Sequence, residues 1–225
     1  AYNKTHNTVA AIDELEKFAA ICQPSHLWTQ QIQKKDDKKD QNGDGCRLLL
    51  RDEAHELAVQ WDKKWRTGSM ADKILSSSAR RANEIFLYEQ KNTDEIIPVR
   101  FSYAELLFSL GDFRKASEHY ALVGSAIQKE QKMRHDADYA AILSLEKAVH
   151  DTWVDTDEKL FQKLANQYLE HNPKGLYRLD IQFKKAFIGY EKGRYKEVAP
   201  ILKELAWNHS KTDKGMKAQD LYLDI

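Results

Sequence analysis

The residues with the clearest chemical potential form an acidic loop near the N-terminus. Asp40, Asn42 and Asp44 alternate along the sequence DQNGDG, which matches the opening of a calcium-binding loop. Such loops wrap alternate oxygen ligands around the ion, with a glycine turn in the middle. However, Arg51 occupies the place where the bidentate glutamate should fall. The sequence therefore favours a polar Asn-Gly and Asp-Gly turn over a calcium site, and we expect neither a metal nor a cofactor.

The two cysteines of the chain are the second candidate for chemistry. Cys22 and Cys46 lie 24 residues apart, and both are near the N-terminus. An even number of cysteines at one end of a chain predicts a disulfide if the compartment is oxidising, whereas two unrelated thiols are the alternative. A bridge would tie the first helix to the start of the second across the polar segment 29–45.

No catalytic constellation emerges from the remaining residues. The eight histidines form no HExxH motif and no pair at i, i+4, and neither a glycine-rich phosphate loop nor GxSxG occurs. His55 and His119 each stand beside a glutamate, but adjacent residues on a helix point in different directions. We interpret both histidines as solvated surface. The sequence therefore predicts a protein without enzymatic activity.

The charge balance narrows the classes of partner. Lys and Arg together number 35, as do Asp and Glu, so the basic excess typical of nucleic-acid binding is absent from the sequence. No apolar run approaches the roughly 20 residues of a membrane helix, so we expect no transmembrane segment in this chain. The first residue is Ala, which indicates a processed or trimmed chain. Membrane association through a missing N-terminal anchor therefore stays open.

The elements that would position these residues are helices. Glycine and proline are scarce, with 9 and 4 residues, which fits poorly with a many-turned β fold. The segment 101–124 predicts two short amphipathic helices that meet at a turn at Gly111-Asp112. Ala104 and Ala116 would face each other across this turn and let the helices approach closely. The sequence thus predicts a helical hairpin and an all-α fold.

A second copy of this hairpin follows near the C-terminus. Gly193 lies 82 residues after Gly111, and the same offset places Ala186 on Ala104 and Val198 on Ala116. Half the offset, about 41 residues, predicts a further helix pair between the two copies. We therefore divide a single helical-repeat domain, 1–225, into these segments: an N-terminal helix and polar loop, 1–45; a degenerate helix pair, 46–92; three repeats, 97–125, 136–172 and 176–208; and a capping or truncated helix, 211–225.

The two ends of the array carry further predictions. At the N-terminus, an amphipathic pattern predicts a helix over 8–22 that is N-capped by Thr8 and ended by Pro24. At the C-terminus, residues 213–225 predict one more helix, whose apolar face has no evident partner. This predicts either a cap or a chain that continues.

The hairpin pattern resembles the tetratricopeptide repeat. In that family, a small residue, an aromatic residue, an alanine and a second aromatic residue stand at fixed places. Their counterparts here are Ala104, Leu107, Ala116 and Tyr120 in one copy, and Ala186, Gly189, Val198 and Leu202 in the other. The family's tryptophan is missing, and the average repeat exceeds the usual length of about 34 residues. More loosely, the two blocks and the closing KAQDLYLDI resemble envelope-associated tetratricopeptide proteins of predatory and gliding deltaproteobacteria.

This resemblance implies a superhelix of helix pairs, in which the first helix of each pair lines a groove for a protein or peptide partner. The groove residues it predicts are Phe101, Glu105 and Phe108 in one hairpin and Phe183, Phe187 and Tyr190 in the other. Alternatively, the C-terminal helix covers these aromatic side chains. The implied function is a non-enzymatic interaction scaffold of a bacterial cell-envelope, motility or secretion assembly, in the periplasm or at the envelope. The alternatives are a regulatory or accessory domain of a larger enzyme and a cytoplasmic location.

Overall fold

A computed structural model of the chain describes residues 2–23, 45–68, 72–88, 96–150 and 153–225. Ten α-helices account for about 85% of these residues, and none of the described residues forms a strand. The predicted all-α fold class is therefore confirmed. Within the described ranges, no helix is both long enough and apolar enough to cross a membrane.

The helices form two compact units, residues 1–111 and residues 112–225. The first unit contains α1 (Tyr2–Ile21), α2 (Gly45–Thr67), α3 (Lys73–Tyr88) and α4 (Ile96–Ser109). The second contains α5 (Phe113–Ala126), α6 (Gln131–Val149), α7 (Asp155–His171), α8 (Arg178–Glu191), α9 (Tyr195–Asn208) and α10 (Asp213–Asp224). Neighbouring helices along the chain pack on each other within each unit.

In the first unit, the core follows the helical spacing of the sequence. The buried residues of α2 recur every three or four positions, which places them on one stripe: Leu50, Ala54, Ala58, Trp61 and Trp65. The α3 helix packs against this stripe and also contacts α1 and α4. Burying a large side chain such as Trp65 removes enough apolar surface from water to contribute roughly 3 kcal/mol.

In the second unit, two buried carboxylates form ion pairs beside an apolar core. The first turn of α7 carries Asp157 and Glu158, which suits the positive end of the helix dipole, and both residues are buried. Asp157 accepts a hydrogen bond from Arg114 of α5 at 2.6 Å. Glu158 pairs with Lys192 at 3.0 Å and with Arg194, both in the turn after α8. The start of α7 is thereby held from two sides.

The two predicted turns, at Gly111 and Gly193, have the same backbone conformation. Gly111 and Gly193 have φ values of 81° and 71°, which favour glycine because it lacks a Cβ. The amide of Gly111 donates to the carbonyl of Phe108 at 3.1 Å, and that of Gly193 donates to the carbonyl of Tyr190 at 2.8 Å. The small residues at the predicted contact points, Ala104, Ala116 and Ala186, are fully buried.

The predicted N-cap of the first helix was wrong. Thr8 is not an N-cap, because α1 begins at Tyr2 and Thr8 is a buried residue inside it. The fourth helix begins at Ile96, so Pro98 lies in its first turn, where a proline lacks only an N–H that has no helical partner. The apolar face of the C-terminal helix packs on the chain itself: Ala218 is buried, and Leu221 and Tyr222 pack against the core formed by α8 and α9, which includes Phe183. This packing favours the alternative in which the C-terminal helix covers aromatic side chains of α8.

Cys22 and Cys46 are joined as a disulfide with a Cα–Cα distance of 5.6 Å. The bond links the end of α1 to the start of α2, and the Cys22 side chain is buried. That Cα distance suits an unstrained bridge.

We expect the bridge to stabilise the first unit by about 3 kcal/mol, because closing a loop of this length restricts the unfolded chain. Chemical unfolding of the protein with and without reductant would measure the difference, with the Cys22→Ser/Cys46→Ser variant, which should be insensitive to reductant, as the control. Intact-mass analysis of non-reduced protein provides an independent check. Two free thiols in protein purified from an oxidising compartment would contradict the prediction.

Candidate functional site

The second unit contains a cleft of about 670 Å³ between α6, α8 and α10. Its lining combines aromatic and aliphatic side chains with six charged ones: Tyr139, Glu146, Asp180, Phe183, Lys184, Phe187, Lys214, Lys217, Asp220 and Leu221. A concave surface that is mainly apolar with a few polar groups is the usual form of a binding site. We therefore treat this cleft as the candidate functional site.

The floor of the cleft is aromatic. Phe183 and Phe187 are four residues apart on α8 and so share one face, with their ring centroids 6.1 Å apart and their planes nearly parallel. Phe183 is 8% exposed and belongs to the core, whereas Phe187 is half-buried. Leu221 of α10 packs against the same core. The floor is thus continuous with the packed interior and held by it.

The rim carries charges of both signs that are loosely paired. The Nζ of Lys184 lies 3.7 Å from Glu146, and that of Lys214 lies 3.7 Å from Asp180. The Lys214 ammonium also lies 5.2 Å from the ring centroid of Phe183. Pairs at this distance and exposure contribute at most about 1 kcal/mol, so a ligand can exchange them at little cost.

Burial affects the ionisation of two groups in the cleft. Desolvation raises the pKa of the Glu146 carboxyl above its ordinary value, although Lys184 and Lys214 offset part of the shift. Desolvation likewise raises the pKa of the Tyr139 hydroxyl, which keeps it neutral and able to donate a hydrogen bond at neutral pH.

The position of Tyr139 is fixed by a ring stack. Its centroid lies 3.5 Å from that of Tyr177, and the two planes are within 9° of parallel. Tyr177 also lies beside the imidazole of His135, with centroids 5.8 Å apart. His135 and the hydroxyl of Tyr168 share a hydrogen bond of 2.9 Å, and this hydroxyl accepts from the backbone amide of Tyr177 at 3.2 Å.

A buried carboxylate holds α6 and α7 together behind this stack. The Asp138 side chain is completely buried and has three hydrogen-bond partners. Gln167 donates to it at 2.7 Å, the Nδ1 of His171 lies at 3.0 Å, and Asn172 donates at 3.2 Å. This cluster, which we call the Asp138 network, fixes the end of α7 and the start of the loop that carries Tyr177.

Sequence reasoning missed the Asp138 network, although the sequence contains a sign of it. Asp138 lies on the buried stripe of α6 with Ala141, Ile142 and Leu145, and an acidic residue on such a stripe requires buried partners. His171 and Asn172 stand at the end of α7, and they also supply two of the three partners of Asp138.

The predicted groove residues fall in both units. Phe183 and Phe187 line the cleft, whereas Tyr190 lies outside its lining and donates its hydroxyl to Asp224 of α10. This hydrogen bond raises the pKa of Tyr190 to about 12. Phe101, Glu105 and Phe108 all belong to α4 of the first unit, where each is partly buried. Glu105 lies 3.9 Å from the guanidinium of Arg66.

The remaining candidates offer no metal chemistry in the described part of the chain. Asp40, Asn42 and Asp44 lie outside the described residues, so the preference for a turn at that loop stays a prediction. Among the residues that are described, no group of three or more His, Cys, Asp or Glu side chains is arranged to hold a metal ion.

We compared the chain with protein-family models, curated proteins and solved structures, and found no significant match in any of the three comparisons. The class of protein that the described residues define is therefore an all-α protein of two helical units. Its function must be argued from the cleft of the second unit.

Proposed function

We propose that this protein is a non-enzymatic interaction module with a tetratricopeptide-like arrangement, and that the cleft of its second unit holds a segment of a protein partner. The observation that carries the proposal is the lining of the cleft. It combines two aromatic rings, Phe183 and Phe187, with three carboxylates and three lysines on α6, α8 and α10. Aromatic anchors inside a polar rim are the common composition of interaction sites.

The order of the helices around the cleft supports a repeat arrangement. Counted from the predicted hairpins, α6, α8 and α10 are the first helices of successive pairs, and these are the helices that line the cleft. The repeated turn conformation at Gly111 and Gly193 supports the same arrangement. The resemblance to the tetratricopeptide repeat implies the same arrangement, in which the first helix of each pair lines a concave surface.

We further propose a place in a bacterial envelope assembly, either periplasmic or attached to the envelope. The close approach of Cys22 and Cys46 supports an oxidising compartment, in which disulfides persist. The weaker sequence resemblance to envelope proteins points in the same direction. Fractionation of the native host, with detection of the protein in the periplasmic and membrane fractions, tests this location.

A photo-crosslinking amino acid tests whether the cleft is occupied. We would place it at Leu221, which lines the cleft, and as a control at Trp207 of α9, which is 82% exposed and lies outside the lining. We expect crosslinks from position 221 to one defined segment of one protein, and none to that segment from position 207. Equal crosslinking from both positions, or none from either in the native host, would contradict the proposal.

Once the partner is identified, its affinity provides a quantitative prediction. Phe187→Ala is expected to weaken binding by more than about 1 kcal/mol, roughly fivefold or more, because the ring is a half-buried anchor in the floor. Phe108→Ala in the first unit tests the other predicted anchor in the same way. Calorimetry measures the affinities, circular dichroism verifies the fold, and Trp207→Ala is the exposed aromatic control. Unchanged affinity in the folded Phe187→Ala protein would show that the Phe187 ring does not contribute to partner binding.

A further inference from the structure

Three connections between helices lie at one edge of the second unit. The first turns of α5 and α7 meet where Arg114 donates to Asp157 at 2.6 Å, and the C-terminal halves of the same helices meet where Ser125 donates to Gln167 at 3.1 Å. The two helices therefore run in the same direction. Consequently, the connection that follows α5 and the connection that follows α7 lie at the same edge.

The connection that follows α9 lies at this edge as well. The Nζ of Lys214 lies 3.7 Å from Asp180 where α10 and α8 begin, and Tyr190 donates to Asp224 where they end, so these two helices are also parallel. Because α8 begins after the second connection and α10 after the third, both connections lie together. With four residues of each adjoining helix, the edge comprises 123–134, 168–181 and 205–216.

Positive charge is in excess at this edge, which we call the basic edge. Its three ranges contain seven Lys and Arg residues but four Asp and Glu residues. The opposite edge has the reverse balance, with six basic and eight acidic residues among its described residues, when the same counting is applied to 112–116, 146–150, 153–158, 188–198 and 221–225. The basic edge therefore attracts an anionic surface, whereas the opposite edge repels it.

The basic edge also carries the two most exposed large apolar side chains among the described residues. Trp207, in the last turn of α9, is 82% exposed, and Leu176, in the connection after α7, is 78% exposed. An exposed lysine lies near each in the sequence: Lys211 follows Trp207, and Lys174 precedes Leu176. Leu223 at the opposite edge is also exposed, but acidic residues outnumber basic ones there. Within the described part of this unit, exposed apolar groups thus coincide with positive charge at the basic edge.

These features select a membrane over other anionic partners. Tryptophan favours the boundary between lipid headgroups and water, since it has an apolar ring and a polar N–H. A fluid lipid layer accepts separate apolar side chains from different connections, whereas a folded protein would need a fitted pocket for each. A nucleic acid could stack on Trp207 and pair with the lysines, but it offers no apolar environment to Leu176.

We propose that the basic edge docks on a membrane surface that contains anionic lipids. Trp207 and Leu176 enter the headgroup layer, and Lys174 and Lys211 lie beside lipid phosphates. Such docking is peripheral and requires no membrane-spanning helix. It goes beyond the function proposed for the cleft, and its test needs no protein partner.

Co-sedimentation of the full chain with vesicles measures the docking. Vesicles of phosphatidylcholine with about 30% phosphatidylglycerol provide the anionic surface, and vesicles of phosphatidylcholine alone are the neutral reference. In buffer with about 50 mM salt, we expect at least about tenfold tighter binding to the anionic vesicles. Raising the salt to about 0.5 M should remove most of this preference, because it shortens the range of charge interactions.

A pair of double variants tests the charge. Lys174→Glu/Lys211→Glu reverses two exposed charges at the basic edge and should abolish the preference for anionic vesicles. Lys115→Glu/Lys196→Glu changes two exposed residues at the opposite edge and should keep most of the preference. Because both variants have the same formal net charge, a difference between them locates the docking surface.

A second set of variants tests the apolar contacts. Leu176→Ala and Trp207→Ala should each weaken binding to anionic vesicles at least about threefold, whereas Leu223→Ala at the opposite edge should not. Brominated lipid quenches tryptophan fluorescence on contact, which adsorption by charge alone does not produce. We expect quenching in the unaltered protein and much less in Trp207→Phe. Circular dichroism verifies that every variant is folded.

Three results would overturn the proposal: no preference for anionic vesicles, equal loss of binding in the two double variants, or equal quenching with and without Trp207. A single-stranded oligonucleotide serves as a polyanion without lipid. If it removes the bound protein from the vesicles at an equal concentration of phosphate, then the basic edge prefers nucleic acid and the membrane assignment is wrong.

Discussion

Asp138→Ala is expected to lower the free energy of unfolding of the second unit by at least about 3 kcal/mol. The Asp138 side chain is fully buried, and its removal leaves Gln167, His171 and Asn172 without their shared acceptor. Breaking a buried polar cluster by removing one member costs more than losing a single hydrogen bond, because the remaining groups stay desolvated. Urea unfolding followed by circular dichroism measures the change.

A control for this variant lies two residues away on the same helix. The Asp136 side chain is 51% exposed and lies 3.3 Å from the Nδ1 of the neighbouring His135. We expect Asp136→Ala to change the stability by less than about 0.5 kcal/mol, as is usual for surface positions. If the two alanine variants have similar stabilities, then the Asp138 network does not hold α6 and α7 together.

Gly215→Ala is expected to destabilise the second unit by about 3 kcal/mol, which is opposite in sign to the usual effect. Replacing glycine with alanine inside a helix normally stabilises it by up to about 1 kcal/mol. Here, however, a Cβ on Gly215 would overlap the backbone carbonyl of His209, at the end of the preceding helix. Backbone atoms cannot move aside as a flexible side chain can, so α10 would have to shift.

Gly193→Ala is the matched control, because the chemical change is the same and the surroundings differ. Gly193 has a positive φ, but no atom lies within 4 Å of a Cβ built on it. We therefore expect only the conformational cost of a left-handed alanine, about 1 kcal/mol. Thermal unfolding of both variants makes the comparison. A Gly215→Ala variant as stable as the unaltered protein would show that α10 does not pack tightly on the end of α9.

The helical fold could be predicted because the apolar residues recur with helical spacing and few glycines interrupt them. The same spacing places Phe183 and Phe187 on one face of α8, and both line the cleft of the second unit. The bounds of the helices were less predictable. Thr8 has the chemistry of an N-cap, yet α1 continues before it, since a buried threonine can also sit inside a helix. Leu49 fits the apolar pattern of α2 but is 62% exposed.

The parts of the cleft that the sequence did not reveal come from helices that cross one another. The sequence offered α10 as one possible cover for the aromatic side chains of α8, but it did not indicate that Lys214 and Lys217 of α10 would line the cleft. Periodicity indicates which face of a helix is buried, whereas the partner of that face depends on long-range packing. Gly215 is a further example. Its contact with the backbone carbonyl of His209 depends on how α10 packs against the end of α9, which no sequence pattern indicates.

The short last helix is expected to make one wall of the second unit's cleft less stable than the floor of the cleft. The α10 helix has twelve residues, of which Gly215 and Ala218 are buried, and a helix this short is marginal in water without its packing partners. Such an element opens locally at a much smaller free-energy cost than the core beneath it. We therefore expect this wall of the cleft to open more readily than the floor at Phe183. A bulky segment would enter through that opening, and closing α10 over it would use part of the binding free energy. The association rate would then be limited by the opening of α10 rather than by diffusion.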